Sequence, residues 1–251
     1  MRKLTTLFTL ALITMLSTST FAQTADEIVE NYIKVTGGRA NWEKAKDMKM
    51  IGKAKVPSQG IELDLTMYSK APNKMKVAMN FQGKEIVQPA FDGNIGWQTS
   101  MMTMKAEKME AEDSEIMKQD ADFPDSFLDY KTKGYTVSLE GEESVEGVAC
   151  HKVKLTKKPV KIDGKEEANF VYYFFDKENG VPLMVRTLGK KGPMKGITSE
   201  SLMSDYQEVN GIILPFTMNQ KINGQLAVSI TFTKLEINTN MEDAIFTFPE
   251  N

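Results

Sequence analysis

Residue-based catalysis in this chain would have to come from a short list of side chains. Cys150 and His151 are its only cysteine and its only histidine, and they are adjacent. On a strand, neighbouring side chains point to opposite faces, so this thiol and imidazole cannot pair as nucleophile and base. One imidazole among scattered carboxylates is also a poor transition-metal set. The acidic run Glu107, Glu110, Glu112, Asp113 and Glu115 offers paired carboxylates of the kind used in glycoside chemistry. On an amphipathic helix, such a run is a solvated face. The chain has no glycine-rich phosphate loop, no G-x-S-x-G elbow and no H-E-x-x-H. The residue types therefore predict a protein that is not an enzyme and uses neither metal nor cofactor. Arg39 and Arg186 are the only arginines after residue 22. A forked guanidinium suits a clamp on a helix end or across a cavity mouth, so both are candidate mouth cations.

What the sequence supplies in quantity is patterned apolar surface. Met48, Met50, Gly52, Ala54 and Val56 alternate with polar residues, then Ile61, Leu63, Leu65 and Met67, then Met75, Val77, Met79 and Phe81. A period of two places these on one face of an antiparallel sheet and leaves Lys49, Glu62, Asp64, Lys74 and Lys76 on the other. Methionine adapts to irregular partners, so a face lined with it suits acyl chains as well as a protein core.

The elements around this face are legible in outline. Thr24 and Glu27 form a capping box that opens a helix with Ile28, Tyr32, Ile33 and Val35 on one side, ended by Gly37-Gly38. A second short helix is expected from Arg39 to Lys46, carrying Trp42. From Met101 to Tyr130 alternation stops, and helical segments with a loose apolar stripe are expected. Strands resume at Tyr135 and run to Ile237, giving about ten to twelve in all. In Asn169 to Phe175 both faces are apolar or aromatic, so both must be covered.

Residues 1–22 read as a secretory signal peptide: Arg2 and Lys3, an apolar run from Leu7 to Leu16, and small residues ending at Ala22. The apolar run is too short to span a bilayer, which takes about 20 residues. Removal leaves residues 23–251 as one domain, with 29 Lys and Arg against 34 Asp and Glu. That balance argues against nucleic acid as a partner. Cys150 lies far from the cleavage point and cannot accept a lipid there, so the exported chain is expected in the periplasm, unlipidated and monomeric. A single cysteine also excludes an intramolecular disulfide.

Several stretches together resemble the LolA-like outer-membrane lipoprotein-sorting proteins, in the broad and divergent branch of the LolA/LolB-like superfamily. They are Phe91-Asp92-Gly93-Asn94-Ile95-Gly96-Trp97, Leu128-Asp129-Tyr130 with Lys133-Gly134-Tyr135, Gly147 to Leu155, Tyr172 to Asp176 with Gly180-Val181-Pro182-Leu183, Asp205-Tyr206 with Asn210 to Phe216, and Phe246-Thr247-Phe248-Pro249. The resemblance implies a mainly β fold with a few helices: a strongly curved antiparallel sheet forming a half-open barrel, its concave face covered by helices. It also implies a soluble carrier of lipoprotein or lipid acyl chains between an inner-membrane donor and an outer-membrane acceptor, with an arginine holding its lid. The alternative on the same scaffold is a non-catalytic protein-binding or sensor module of the envelope.

On this reading the cavity is lined by Met48, Met50, Leu63, Leu65, Met67, Met75, Val77, Met79, Phe81, Trp97, Val228, Ile230 and Phe232. The lid carries Met104, Met109, Ile116, Met117, Phe123 and Phe127.

Overall fold

The computed structural model describes residues 23–250; the expected signal peptide, residues 1–22, lies outside the described residues. The chain opens with helix α1 (Ala25–Val35) and helix α2 (Arg39–Lys44). Strands β1 (Asp47–Val56), β2 (Ile61–Lys70), β3 (Lys74–Phe81), β4 (Lys84–Phe91), β5 (Gly96–Thr99) and β6 (Ala106–Lys108) follow, then helix α3 (Ala111–Asp120). The second half holds β7 (Thr136–Val145), β8 (Val148–Thr156), the short hairpin β9 (Val160–Ile162) and β10 (Lys165–Glu167), and β11 (Phe170–Asp176). It ends with β12 (Pro182–Leu188), β13 (Thr198–Val209), β14 (Ile212–Ile222) and β15 (Gln225–Ile237).

Thirteen of these strands form one antiparallel sheet in the order β6-β5-β4-β3-β2-β1-β15-β14-β13-β12-β11-β8-β7. The chain starts at the middle of the sheet, meanders out to β6, crosses through α3 and residues 121–135 to the far edge, and returns until β15 pairs with β1. With β6 and β7 left as edges, the sheet does not close into a barrel. There are more strands than the ten to twelve expected, because β5, β6, β9 and β10 are three or four residues long and too short to show alternation.

Helix α1 begins as its sequence dictates. The Glu27 amide donates to the Thr24 hydroxyl at 3.2 Å while the Thr24 amide donates to the Glu27 carboxylate at 2.8 Å. Its buried stripe of Ile28, Val29, Tyr32 and Ile33 joins one core cluster with Trp42, Met48, Leu65, Phe175, Leu214 and Phe232. Each fully buried aliphatic side chain of this kind contributes about 1.5–3 kcal/mol. The helix ends because Gly37 adopts φ +124°, and a Cβ there would sit 2.1 Å from the Gly211 carbonyl oxygen. Only glycine fits that approach. Beyond it, the Trp42 indole donates to the Thr36 hydroxyl at 3.1 Å, which itself donates to the Tyr32 carbonyl at 2.7 Å, so the buried polar groups of this corner are paired.

Between residues 101 and 130, only α3 is an α-helix, which corrects the longer helical stretch expected there. Residues 100–105 form a hairpin tip, and residues 121–134 are held by turns. In one of these the Asp125 carboxylate accepts the Phe127 amide at 2.7 Å.

Candidate functional site

The strand register sets the apolar residues of the sheet out in rows. Ile237, Met48, Ser69, Met75 and Phe91 cross five adjacent strands; Leu235, Met50, Met67 and Val77 form the next row; Phe232, Gly52, Leu65, Met79 and Ile86 the third; Ile230, Ala54 and Leu63 the fourth. Gly52 is the tight point of this lattice. Beside it the β1–β15 register shifts, and a Cβ there would lie 2.2 Å from the Thr231 carbonyl oxygen, so glycine lets the bulge carry both Phe232 and Leu235 on the same face.

Burial falls off across these rows. Met48, Leu65 and Phe232 are buried in the main core, with α1, α2 and residues 123–130 packed against the same cluster. Met50, Leu63, Met67, Val77, Met79, Val228 and Ile230 are half-buried, and Phe81 is 36 % exposed. The result is a continuous apolar surface that is shielded at one end and open to solvent at the other. Met218 and Tyr173 belong to it too and were not among the expected lining residues. The alternation Ile212, Leu214, Phe216, Met218 on β14 is the sequence signal that marks Met218.

Two expected residues lie elsewhere. Trp97 is paired through Ala90 to Lys76, which puts it on the opposite face of the sheet. There it packs with Val87, Ala90 and Phe248, its indole donates to the Phe246 carbonyl at 2.8 Å, and the Lys76 ammonium sits over its ring. Met75 keeps the predicted face but packs against Phe91, Met117 and Ala121 rather than the main core.

The lid residues do not share one helical stripe. Phe123 and Phe127 are buried in the main core, where Phe127 meets Tyr32 and Tyr173 edge-on, at centroid distances of 5.9 and 4.6 Å. Met117 of α3 and Met109 pack over Phe91. Ile116 faces a separate groove with Phe170 and Leu188, and Met104 stands 42 % exposed on the hairpin tip. Side-chain contacts from both helices fasten the 121–134 segment, among them Asp26 of α1, which accepts the Tyr130 hydroxyl and pairs with Lys131 at 2.6 Å. The Tyr32 hydroxyl donates to Asp125 at 2.8 Å, and Arg39 of α2 reaches Asp129 at 2.9 Å while also touching Glu30 of α1 at 3.4 Å. Burial pushes the Asp125 carboxyl above its ordinary range, against the pull of the Phe127 amide and the Tyr32 hydroxyl. Burial likewise pushes the Tyr32 and Tyr173 phenols up, with Asp125 reinforcing both shifts.

Arg186 faces away from this core. It forks onto Glu143 at 2.7 Å and Glu200 at 2.8 Å, and its guanidinium lies 4.6 Å from the Phe174 ring centroid. Lys152 covers Tyr172 and Lys154 covers Phe170 on the same side. The outer aromatic face of β11 is thus roofed by cations, whereas its inner face is roofed by α1 and Phe127. The candidate catalytic dipeptide is separated as strand geometry requires. Cys150 is buried in the outer cluster, its thiol pushed up by burial, while His151 is paired in register with Phe175 of the main core. Burial, with help from Lys177, lowers the His151 pKa and favours the neutral ring. Among the described residues, no group of three His, Cys, Asp or Glu side chains is arranged to hold a metal ion.

The chain shares its fold with a LolA superfamily protein from Nitrosomonas europaea, on which it superposes with a TM-score of 0.53 at 14% identity, covering 90% of this chain and 98% of that one. A domain from Vibrio parahaemolyticus described as an outer membrane lipoprotein-sorting protein gives 0.56 at 12% identity, covering 88% and 97%. A DUF1329 family protein from Desulfovibrio piger gives 0.56 at 14%, covering 90% and 98%. A family model described only as an uncharacterized protein matches residues 99–249, and the chain belongs to that family. Comparison with curated proteins yields no match. Among the described residues, no helix is long and apolar enough to cross a membrane.

Proposed function

We propose that this protein is a non-catalytic carrier that holds the acyl chains of lipoproteins or lipids against the apolar face built by β14, β15, β1, β2 and β3. The observation that carries the reading is the graded burial of that face, from Leu65 in the core to Phe81 in solvent. An acyl chain laid along the exposed end removes its own methylenes and the half-buried methionines from water together, at about 0.8 kcal/mol per methylene. In this reading the sheet curves around the face, the helices and residues 121–134 cover it, and Arg39 is the clamp at its rim. Arg186 and Trp97, on the other face, take no part. Residues 1–22 direct export, residues 23–251 form one domain, and the carrier works unlipidated in the periplasm as a monomer, between a donor and an acceptor membrane. Structural neighbours described as lipoprotein-sorting and LolA superfamily proteins support the cargo class by fold analogy.

Native mass spectrometry of the protein recovered from a bacterial periplasm, followed by lipid analysis of what dissociates, tests the proposal. A substoichiometric acyl lipid or lipopeptide supports it. An apo mass that takes up no added lipid overturns it and favours the protein-binding alternative, for which the groove of about 430 Å³ lined by Val145, Val148, Leu183, Leu202 and Leu226 on the opposite face is the natural surface.

A further inference from the structure

The hairpin between β5 and β6 presents Met101, Met102 and Met104 at its tip, exposed by 66 %, 96 % and 42 %. No other large apolar side chains among the described residues are both so exposed and so concentrated in sequence. The backbone around them is fixed. The Ser100 amide donates to the Lys105 carbonyl at 2.8 Å, the Met104 amide donates to the Ser100 carbonyl at 2.8 Å, and Met104 itself sits at φ +55°. Three thioethers are therefore carried on one five-residue turn, outside every core cluster of the protein. Beside them, Thr103 donates its hydroxyl to the Glu107 carboxylate at 2.9 Å.

We propose that this tip is a binding site for a soft monovalent metal ion, Cu(I) or its redox-inert counterpart Ag(I), held by the thioether sulfurs of Met101, Met102 and Met104. Soft thioethers select Cu(I) over the divalent ions that prefer imidazole, carboxylate or water. Binding here is reversible coordination without electron transfer, and it is independent of the acyl face on β14, β15 and β1 to β3.

The test is a titration of the whole purified protein with Ag(I), read by the methionine methyl resonances of protein labelled at those carbons. The expected result is that three methionine resonances, assigned to the tip by single Met→Leu variants, shift with one equivalent of Ag(I) and are unmoved by Zn(II). In M101L/M102L/M104L, a change that leaves volume nearly constant on an exposed turn, the affinity should fall by at least about tenfold. The proposal is overturned if only methionines outside the tip shift, if the triple variant binds as well as the parent, or if the tip resonances respond to phospholipid vesicles and not to Ag(I).

Discussion

Phe81 is the side chain that best separates binding from folding, because it lies at the open end of the apolar face and is 36 % exposed. A buried aromatic side chain accounts for about 150–250 Å², so the part of Phe81 still facing water amounts to about 70 Å². A ligand that covers it gains about 1.8 kcal/mol at ~25 cal/mol per Å², or roughly twentyfold in affinity at 1.4 kcal/mol per decade. Phe81→Ser should lose that factor for a fluorescent acyl probe displaced from the purified protein. The change also removes packing, so a matched control is needed. Leu226 is 43 % exposed and lines the groove on the opposite face. Leu226→Ser should cost comparable stability, about 1 kcal/mol, and leave probe binding within twofold of the parent. Stability is read by urea unfolding and binding by probe displacement on the same samples. If both variants weaken the probe equally, or if Phe81→Ser binds as tightly as the parent while folded, the acyl chain does not lie on this face.

Three further outcomes follow from the same geometry. Arg39→Ala breaks half-exposed ion pairs to Asp129, Glu30 and Glu43, so it should lower stability by no more than about 1 kcal/mol, yet speed acyl exchange in a stopped-flow assay several-fold if the clamp sets the opening rate. Gly37→Ala forces a Cβ to within 2.1 Å of the Gly211 carbonyl oxygen at a positive φ and should cost more than about 3 kcal/mol in urea unfolding, far more than an ordinary glycine substitution. Burial alone would raise the Asp47 carboxyl, but bonds from the Thr239 hydroxyl and amide and from the Met241 amide outweigh it and hold the pKa below its ordinary value. A lowered carboxyl stabilises the fold above the unfolded pKa of about 3.9 and loses that contribution as pH falls below it. The stability gap between parent and Asp47→Asn should therefore be full at neutral pH and shrink below about pH 4.

The apolar face was legible because alternation maps onto a sheet with only one choice of phase, and Met48 to Met79 keep that phase across three strands without a break. Trp97 was not legible for the converse reason. Met75 pairs with Phe91 and Phe91 with Gly96, across a turn that the Asp92 side chain caps by accepting the Asn94 and Ile95 amides at 2.8 Å. That turn sets Gly96 rather than Trp97 opposite Phe91, a choice between faces that no local pattern in Phe91 to Trp97 records. The 101–130 stretch misled because its apolar residues serve four separate surroundings, so their spacing has no single period. Arg186 reads in sequence as a candidate mouth cation, since Glu143 and Glu200, which hold it on the other face, arrive on other strands.

If residues 121–134 cover the face as proposed, they set a length requirement on any cargo that goes deeper than the open end. Phe123, Phe127 and Leu128 share the buried cluster of Leu65 and Phe232, and each is stabilised there by about 1.5–3 kcal/mol. Withdrawing all three costs about 5–9 kcal/mol, which a chain recovers with roughly six to eleven methylenes at 0.8 kcal/mol apiece. Hexanoyl ligands, with four methylenes, should therefore bind at the open end and leave the cover in place, whereas palmitoyl ligands should lift it. Trp42 reports the difference, because it is buried in the same core, and Trp97→Phe removes the other indole. Titrating this variant with acyl chains of increasing length should leave Trp42 emission unchanged for the short chains and shift it for the long ones. A response that grows evenly from the shortest chain would mean that the cover does not act as a unit. No response at any length, with binding confirmed, would confine the cargo to the patch around Leu63, Met79 and Phe81.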